Sequence, residues 1–218
     1  MGGLSRGGII KDSPIKQSLM QTYNRYADER NAKADIEPWK AEQRDAFLQV
    51  MLRNGMSSLL EIGAGPGRDS LYFADKGLKV ACTDLSPEMV RICRQHGLDA
   101  HQMDFYDLKF QDHEFDAVYA LNCLLHVPKA DLPDVLAEIE RVMRPQGLFF
   151  MGVYGGRESE GIWEGDFYEP KRFFSFYTDE ELLEVVRRHF EVETFKAIQY
   201  QAEGLHFQSL ILRKRHHS

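Results

Sequence analysis

Three glycines at alternate positions, Gly63, Gly65 and Gly67, separate a short apolar run from a helical pattern. Glycine has no Cβ, so the backbone of such a turn can adopt positive φ angles and come close to a bound molecule. A strand, a glycine turn and the start of a helix present backbone N–H groups to a ligand in α/β sheets. Glu61 stands two residues before the first glycine, where its carboxylate would repel a pyrophosphate and attract an ammonium group. The stretch therefore favours a ligand that carries an amino acid over NAD.

An acidic residue after the next predicted strand supplies a second contact for such a ligand. The strand is predicted over Leu78 to Thr83, and Asp84 follows it, 21 residues after Gly63. This separation matches the acidic residue that binds a ribose in dinucleotide-binding folds. A carboxylate there accepts hydrogen bonds from both ribose hydroxyls and repels a 2′-phosphate. The last position of the usual G-x-G-x-x-G/A fingerprint is filled here by Arg68, which also disfavours an NAD-dependent enzyme.

The stretch from Ser58 to Ala74 reads S-L-L-E-I-G-A-G-P-G-R-D-S-L-Y-F-A. It resembles motif I of the class I S-adenosylmethionine-dependent methyltransferases. Two later stretches support the likeness. Leu124 to Pro128 (L-L-H-V-P) is similar to a turn of small-molecule and tRNA methyltransferases, and Arg144 to Leu148 (R-P-Q-G-L) resembles the family's link into the fifth strand, with Gly147 suited to a tight turn. The likeness covers about Leu59 to Phe150.

The resemblance implies an α/β fold with a Rossmann-like, seven-stranded, mainly parallel sheet, helices on both faces and the last strand antiparallel. We expect a single domain over residues 1–218. Within it, 1–14 would be a flexible leader, 15–55 an N-terminal helical cap and 56–153 the cofactor-binding core. The rest, 154–218, would supply a substrate-side loop, a helix and a closing hairpin.

The resemblance also implies the cofactor, S-adenosyl-L-methionine, and the residues that hold it. Glu61 would lie near the amino group of the cofactor, and Asp84 would hold its ribose. Asp104 and Phe105 would contact the adenine, and Met89 would pack on it, with core packing alone as the alternative for Met89. The full set of expected cofactor-binding residues is Glu61, Gly63, Ala64, Gly65, Gly67, Asp84, Leu85, Met89, Asp104, Phe105 and Leu121.

The substrate side carries fewer signals, and the catalytic residue is left open among His126, Tyr23, Tyr154 and Arg172. An imidazole titrates near neutral pH, so His126 could act as a base, or it could bond a nearby backbone group. Tyr23 could belong to a lid or to the core. Arg172 could meet an anionic group of the substrate or lie in a segment docked on the sheet. The polar segment 155–170 is expected to form a long loop.

The composition of the chain and the absence of a base-amine motif restrict the class of molecule that could accept the methyl group. The net charge of −7 argues against broad binding to nucleic acid or anionic membranes, and the basic run 213–217 is interpreted as a solvated tail. The segment Leu121 to Leu124 (L-N-C-L) lacks the D/N-P-P-Y/F sequence of methyltransferases that act on base amines in DNA. We therefore predict a small-molecule acceptor. Methylation of RNA, above all tRNA, and a non-catalytic protein that binds S-adenosylmethionine are the alternatives.

The spacing of the cysteines and acidic residues, and the residues at the start of the sequence, indicate the cellular compartment and whether a metal is expected. Cys82, Cys93 and Cys123 are widely spaced and form no disulfide framework. The acidic residues between Asp107 and Asp116 are interpreted as a solvated loop, so no metal is predicted. No signal peptide and no membrane span are recognised. We expect a cytoplasmic protein with no DNA or membrane partner, and the choice between monomer and homodimer is open.

Overall fold

The computed structural model describes residues 13–33, 36–199 and 204–215. Most of the predicted leader and the last two residues of the basic run lie outside the described residues. The helices are α1 (Pro14–Arg25), α2 (Ala27–Ala32), α3 (Pro38–Arg53), α4 (Arg68–Asp75), α5 (Pro87–Gln95), α6 (Leu132–Val142) and α7 (Asp179–Val186). The strands are β1 (Ser58–Ile62), β2 (Lys79–Asp84), β3 (Asp99–Gln102), β4 (Phe115–Leu121), β5 (Met143–Gly155), β6 (Ser159–Ile162), β7 (Phe173–Phe176), β8 (Phe190–Ile198) and β9 (His206–Lys214).

The main sheet has seven strands in the order β3-β2-β1-β4-β5-β9-β8. The neighbours from β3 to β5 pair in parallel, whereas β9 runs antiparallel to both β5 and β8. The predicted sheet, with its last strand antiparallel, is confirmed. The chain leaves β1 towards β3 and then returns to β4 on the other side of β1. In open α/β sheets, ligands bind at the carboxyl ends of the strands where the order reverses in this way.

Helices cover both faces of this sheet because alternate residues of each strand point to opposite sides. On β1, Leu60 belongs to the core that includes α6 and α7, and Leu59 belongs to the core that includes α3 and α4. Phe47 of α3 and Phe73 of α4 both pack on Tyr119 of β4. The ring centroid of Tyr119 lies 5.9 Å from that of Phe47 and 5.1 Å from that of Phe73. The sequences of the central strands are therefore almost continuously apolar, as expected for strands buried on two faces.

The expectation of a loop over 155–170 is wrong for part of its length. Ser159–Ile162 forms β6, which pairs antiparallel with β7 in a separate two-stranded sheet. Three of the four residues of β6 are exposed, so this strand has no apolar alternation that a sequence could display.

Gly147 lies within β5, where the pairing of this strand with β4 is irregular between Met143 and Leu148, and not in a turn before the strand as expected. The left-handed residue of this irregular stretch is Gln146, with φ of 63°. Glycine is required next to it because a Cβ on Gly147 would lie 2.8 Å from the carbonyl oxygen of Arg144 and 2.9 Å from that of Asp116. Elsewhere in the fold, no helix among the described residues is both long and apolar enough to cross a membrane.

Candidate functional site

A cavity of about 470 Å³ lies at the carboxyl ends of β1, β2 and β4, where the strand order reverses. One wall is formed by the strand ends and the glycine turn, and the opposite wall by residues of α1 to α3. Two of the four catalytic candidates, Tyr23 and His126, line it. So do eight of the expected cofactor-binding residues: Glu61, Gly63, Ala64, Gly65, Asp84, Leu85, Phe105 and Leu121.

The three glycines of the turn have positive φ angles but different surroundings. A Cβ on Gly63 would lie 2.4 Å from Cβ of Cys123, and a Cβ on Gly67 would lie 2.5 Å from the side chain of Leu98. A Cβ on Gly65 would have a single neighbour among the described residues, at 3.9 Å. Gly63 and Gly67 thus let the turn pack against the protein, whereas Gly65 faces open space in the cavity.

Asp84 links the end of β2 to this turn. Its Oδ2 accepts a hydrogen bond of 2.8 Å from the backbone N–H of Gly65, and its Oδ1 accepts one of 2.8 Å from Ser86. Burial raises the pKa of Asp84 to about 6 because the charged form loses solvation, and the two backbone N–H groups oppose that shift. A carboxylate has about four lone-pair sites, so both oxygens can still accept hydrogen bonds from a ligand.

Glu61 places a second carboxylate in the cavity wall. The side chain is only 3% exposed and accepts a hydrogen bond from the hydroxyl of Ser70. Asp69, in the first turn of α4, is also buried and lines the cavity. Burial, followed by the negative charge of Asp69, raises the pKa of Glu61 well above its usual range. A cation bound beside Glu61 would favour its charged form.

Lys40 and Arg44 of α3 line the cavity but were not identified from the sequence. Lys40 pairs with Glu37 at 2.8 Å, and Arg44 pairs with Asp69 at 2.9 Å. The sequence did hold a signal for them. They continue, at spacings of three and four, the same helical stripe that carries Phe47 to the core, so charges stand where apolar residues are expected.

Arg30 of α2 is a third cation in the cavity wall that sequence analysis missed. Its Nη1 donates a hydrogen bond of 3.2 Å to the hydroxyl of Tyr168. Among the described residues, no carboxylate lies within ion-pair distance of Arg30, and its Nε is buried without a hydrogen-bond partner. No pattern around position 30 could have marked it, because its place in the cavity depends on how α2 packs.

Tyr23 and His126 meet across 103 residues of sequence, with Oη of the tyrosine 2.6 Å from Nε2 of the histidine. Nη1 of Arg172 donates a hydrogen bond of 3.0 Å to the same Oη. Nδ1 of His126 lies 2.7 Å from the carbonyl oxygen of Phe173. Burial lowers the pKa of His126 to about 3, and burial also raises the pKa of Tyr23. Near neutral pH, the histidine is therefore uncharged and the tyrosine keeps its proton.

Arg172 does not line the cavity, and its anionic partner belongs to the protein. Its Nε and Nη2 donate hydrogen bonds of 2.9 and 2.8 Å to the two carboxylate oxygens of Asp166. The side chain of Asp166 is fully buried, and that of Arg172 is 10% exposed. The guanidinium carbon also lies 4.3 Å from the ring centroid of Tyr168. Arg172 thus affects the cavity only indirectly, through its hydrogen bond to Tyr23.

Three other predicted residues also lie outside the cavity lining, in addition to Gly67. Met89 is fully buried in a small core with Ala27 and Ile92, which is the alternative considered for it. Asp104 pairs with Lys16 of α1. Tyr154 packs edge-on against another aromatic ring, with centroids 5.6 Å apart. Within the described ranges, no group of three or more His, Cys, Asp or Glu side chains is arranged to hold a metal ion.

Comparison with known proteins places this site in context. A model of the family described as a methyltransferase domain matches residues 60–151, which include the end of β1, the glycine turn, Asp84 and β4. The malonyl-[acyl-carrier protein] O-methyltransferase of Salmonella typhimurium is 30% identical over 136 residues, 61% of this chain and 52% of that protein. The ubiquinone biosynthesis O-methyltransferase of Xanthomonas oryzae is 33% identical over 114 residues, 49% of this chain and 47% of that protein. The chain thus spans about half the length of these two curated relatives.

The fold is also similar to a solved structure over most of its length. The 1,6-didemethyltoxoflavin-N1-methyltransferase of Burkholderia thailandensis superposes with a TM-score of 0.69 at 24% identity, covering 92% of this chain and 87% of that one. That protein was solved with bound 1,6-didemethyltoxoflavin and S-adenosylhomocysteine. At this identity, the similarity establishes the shared fold.

Proposed function

We propose that this chain, which is similar to the class I S-adenosylmethionine-dependent methyltransferases, transfers a methyl group from S-adenosyl-L-methionine to a small-molecule acceptor. The observation that carries the proposal is the position of Asp84. It is bonded to the glycine turn at the point where the strand order reverses, in the wall of the cavity. The malonyl-carrier and ubiquinone O-methyltransferases among its relatives favour the same class of acceptor.

The residues of the cavity fit the parts of the cofactor. The carboxylate of Asp84 would accept hydrogen bonds from the ribose hydroxyls, and the open face of Gly65 would let the cofactor approach the backbone. Phe105 and Leu85 would flank the adenine. Glu61 would attract the ammonium group, whose positive charge offsets the cost of a buried carboxylate. Predicted adenine contacts of Asp104 and Met89 stay predictions, since neither side chain lines the cavity.

Arg30 completes this set as a proposed partner of the cofactor carboxylate. It is a cation in the cavity wall, its side chain lies within 3.9 Å of the position that a Cβ on Gly65 would occupy, and no described carboxylate pairs with it. Glu61 and Arg30 would then hold the two opposite charges of the amino-acid part. A pyrophosphate would instead lie near the carboxylate of Glu61, which disfavours it, so this charge opposes a dinucleotide.

The chemistry needs little from the protein beyond alignment. When bound, the cofactor supplies a methyl group on a sulfonium, which is already a good leaving group. The residues of this chain bind the two reactants, orient them in line and exclude water through the wall formed by α1 to α3. Proximity and orientation alone can account for a large part of such a rate acceleration.

Two alternatives receive less support. RNA methylation would call for cations free to contact phosphates around the site, but Lys171 pairs with Glu164 and Arg172 pairs with Asp166. A non-catalytic binding protein would have a blocked pocket, and a cavity of about 470 Å³ argues against that.

Isothermal titration calorimetry with S-adenosylmethionine, S-adenosylhomocysteine and NAD tests the proposed function. We expect micromolar binding of the two sulfur compounds, no binding of NAD, and loss of binding in Asp84→Ala. Asp99→Ala is the matched control, because Asp99 is exposed at the edge strand β3 and lies outside the cavity. If the folded wild-type protein binds neither sulfur compound, the proposal is wrong.

A further inference from the structure

The hydrogen bonds around Tyr23 can run in one direction only. Nδ1 of His126 faces the carbonyl oxygen of Phe173 at 2.7 Å, and a carbonyl oxygen only accepts, so Nδ1 carries the proton. Rotating the imidazole by half a turn would place carbon atoms opposite both of its partners. His126 is uncharged near neutral pH, so its Nε2 has a lone pair and no hydrogen. The 2.6 Å contact with Tyr23 is therefore a hydrogen bond that the tyrosine donates.

Tyr23 has one proton, and this contact uses it. Arg172 donates to the same oxygen at 3.0 Å, and an arginine has no acceptor. Asp166 holds Arg172 in place with two hydrogen bonds, so the direction of that contact is fixed as well. Toward the cavity that Tyr23 lines, its oxygen can offer only a remaining lone pair. It can accept a hydrogen bond from a ligand but cannot donate one.

We propose that Tyr23 determines acceptor specificity, by accepting a hydrogen bond from an O–H or N–H group of the methyl acceptor. This inference rests on the proposed function. It names the acceptor class as a neutral molecule with a hydroxyl or N–H donor. A carboxylate is disfavoured at this point because it carries only lone pairs, which would face the lone pair of Tyr23. His126, Arg172 and Asp166 act as positioning residues that hold Tyr23 in this state.

The test measures the binding of matched probes to the protein saturated with S-adenosylhomocysteine. Phenol carries the O–H group, anisole replaces it with a methyl ether, and benzoate replaces it with a carboxylate. We expect phenol to bind about tenfold more tightly than anisole and benzoate, the effect of one hydrogen bond of about 1.4 kcal/mol. Tyr23→Phe should abolish this preference. Tyr26→Phe, a change to a neighbouring tyrosine outside the cavity, should keep it.

His126→Leu gives the sharper result, because it frees the proton of Tyr23. The tyrosine could then donate to a ligand, so benzoate should gain about tenfold relative to phenol. A merely structural role of His126 would not change the order of the probes. Unsaturable binding of all three probes, a wild-type preference for benzoate, or an unchanged order in His126→Leu would overturn the inference.

The affinity for S-adenosylhomocysteine separates this test from that of the proposed function. If the wild-type protein binds S-adenosylhomocysteine and the probe order is wrong, only the inference about Tyr23 fails. If S-adenosylhomocysteine itself does not bind, the proposed function fails. Nitrogen NMR of wild-type His126 adds a check that needs no variant: Nδ1 should be the protonated nitrogen throughout the range from pH 5 to pH 8, given a pKa of about 3.

Discussion

The backbone N–H of Gly65 donates a 2.8 Å hydrogen bond to Asp84, which joins the glycine turn after β1 to the end of the neighbouring strand β2. The same carboxylate accepts a second bond from Ser86, the residue that caps α5. One side chain thus fixes the relative positions of two loops at the carboxyl edge of the sheet. The carboxylate of Asp84 can still accept hydrogen bonds from hydroxyl groups, and the burial of this side chain raises its pKa to about 6.

The first prediction concerns the pH dependence of cofactor affinity. Above pH 6, Asp84 is charged and accepts hydrogen bonds well, and as pH falls through about 6 it takes up a proton and loses acceptor strength. Affinity should therefore be constant near pH 8 and fall below pH 6. The probe is 5′-methylthioadenosine, which keeps the ribose but lacks the amino acid that Glu61 would contact. In Asp84→Asn, affinity at pH 8 should be about tenfold lower and the pH profile flat; a profile that stays steep would contradict the assignment.

A second prediction tests Arg30 as the partner of the cofactor carboxylate. Arg30→Met should weaken binding of S-adenosylhomocysteine by about tenfold or more, since hydrogen bonds to charged groups contribute about 1.5–3 kcal/mol. Binding of 5′-methylthioadenosine, which has no carboxylate, should not change. Arg25→Met is the matched control because Arg25 bonds the backbone of Glu169 and lies outside the cavity. Equal losses for both ligands in Arg30→Met would rule out the assigned contact.

The third prediction separates backbone strain from steric overlap in the glycine turn. Alanine at Gly63 must adopt φ of 64° and would also place its Cβ 2.4 Å from Cβ of Cys123. Gly77 has φ of 89° and nothing within 4 Å of the same position, so Gly77→Ala measures the strain alone. We expect Gly77→Ala to lower the free energy of unfolding by about 1 kcal/mol and Gly63→Ala by about 3 kcal/mol or more. Chemical denaturation measures both, and Cys123→Gly should restore part of the second loss.

A fourth prediction concerns stability at the opposite edge of the sheet. Asp116, at the start of β4, accepts hydrogen bonds from the backbone of Ser57 and Ser58 and pairs with Arg144 at 2.7 Å. Burial opposes ionisation, but these contacts outweigh it and lower the pKa of Asp116 to about 2. Its stabilising effect is therefore present above pH 4 and is lost as pH falls through 2. Asp116→Asn should lower the free energy of unfolding by about 1–2 kcal/mol at pH 7.

The difference between wild type and Asp116→Asn should disappear near pH 2 in urea titrations. The comparison variant is Asp112→Asn, because Asp112 pairs with Arg141 but is 67% exposed, and an exposed ion pair contributes little. A difference for Asp116→Asn that persists unchanged at pH 2 would show that the hydrogen bonds of the carboxylate are not its source.

Much of the cavity wall at the strand ends could be predicted from the sequence because its signals are local. The apolar run of β1, the glycines and the start of α4 are contiguous, and Asp84 ends the next strand, so short-range patterns mark them all. Sequence patterns gave weaker predictions for residues whose contacts lie on other helices or strands of the fold. Met89 and Asp104 follow the expected strands at the expected places, yet one packs in the core and the other pairs with Lys16 of α1.

The sequence by itself determined the succession of strands and helices from β1 to β5, the glycine turn and the carboxylates at the strand ends, because hydrophobic periodicity and backbone chemistry act between neighbouring residues. Only the tertiary structure decided what faces them. Tyr23 meets His126 across 103 residues and Arg172 across 149. Arg172, for which an anionic group of the substrate was one of two partners considered, pairs with Asp166 of the protein itself. Such contacts depend on how α1, α2 and the segment before β7 pack over the sheet. The donors and acceptors come from three elements that are distant in sequence, so no local sequence pattern determines which group donates each hydrogen bond.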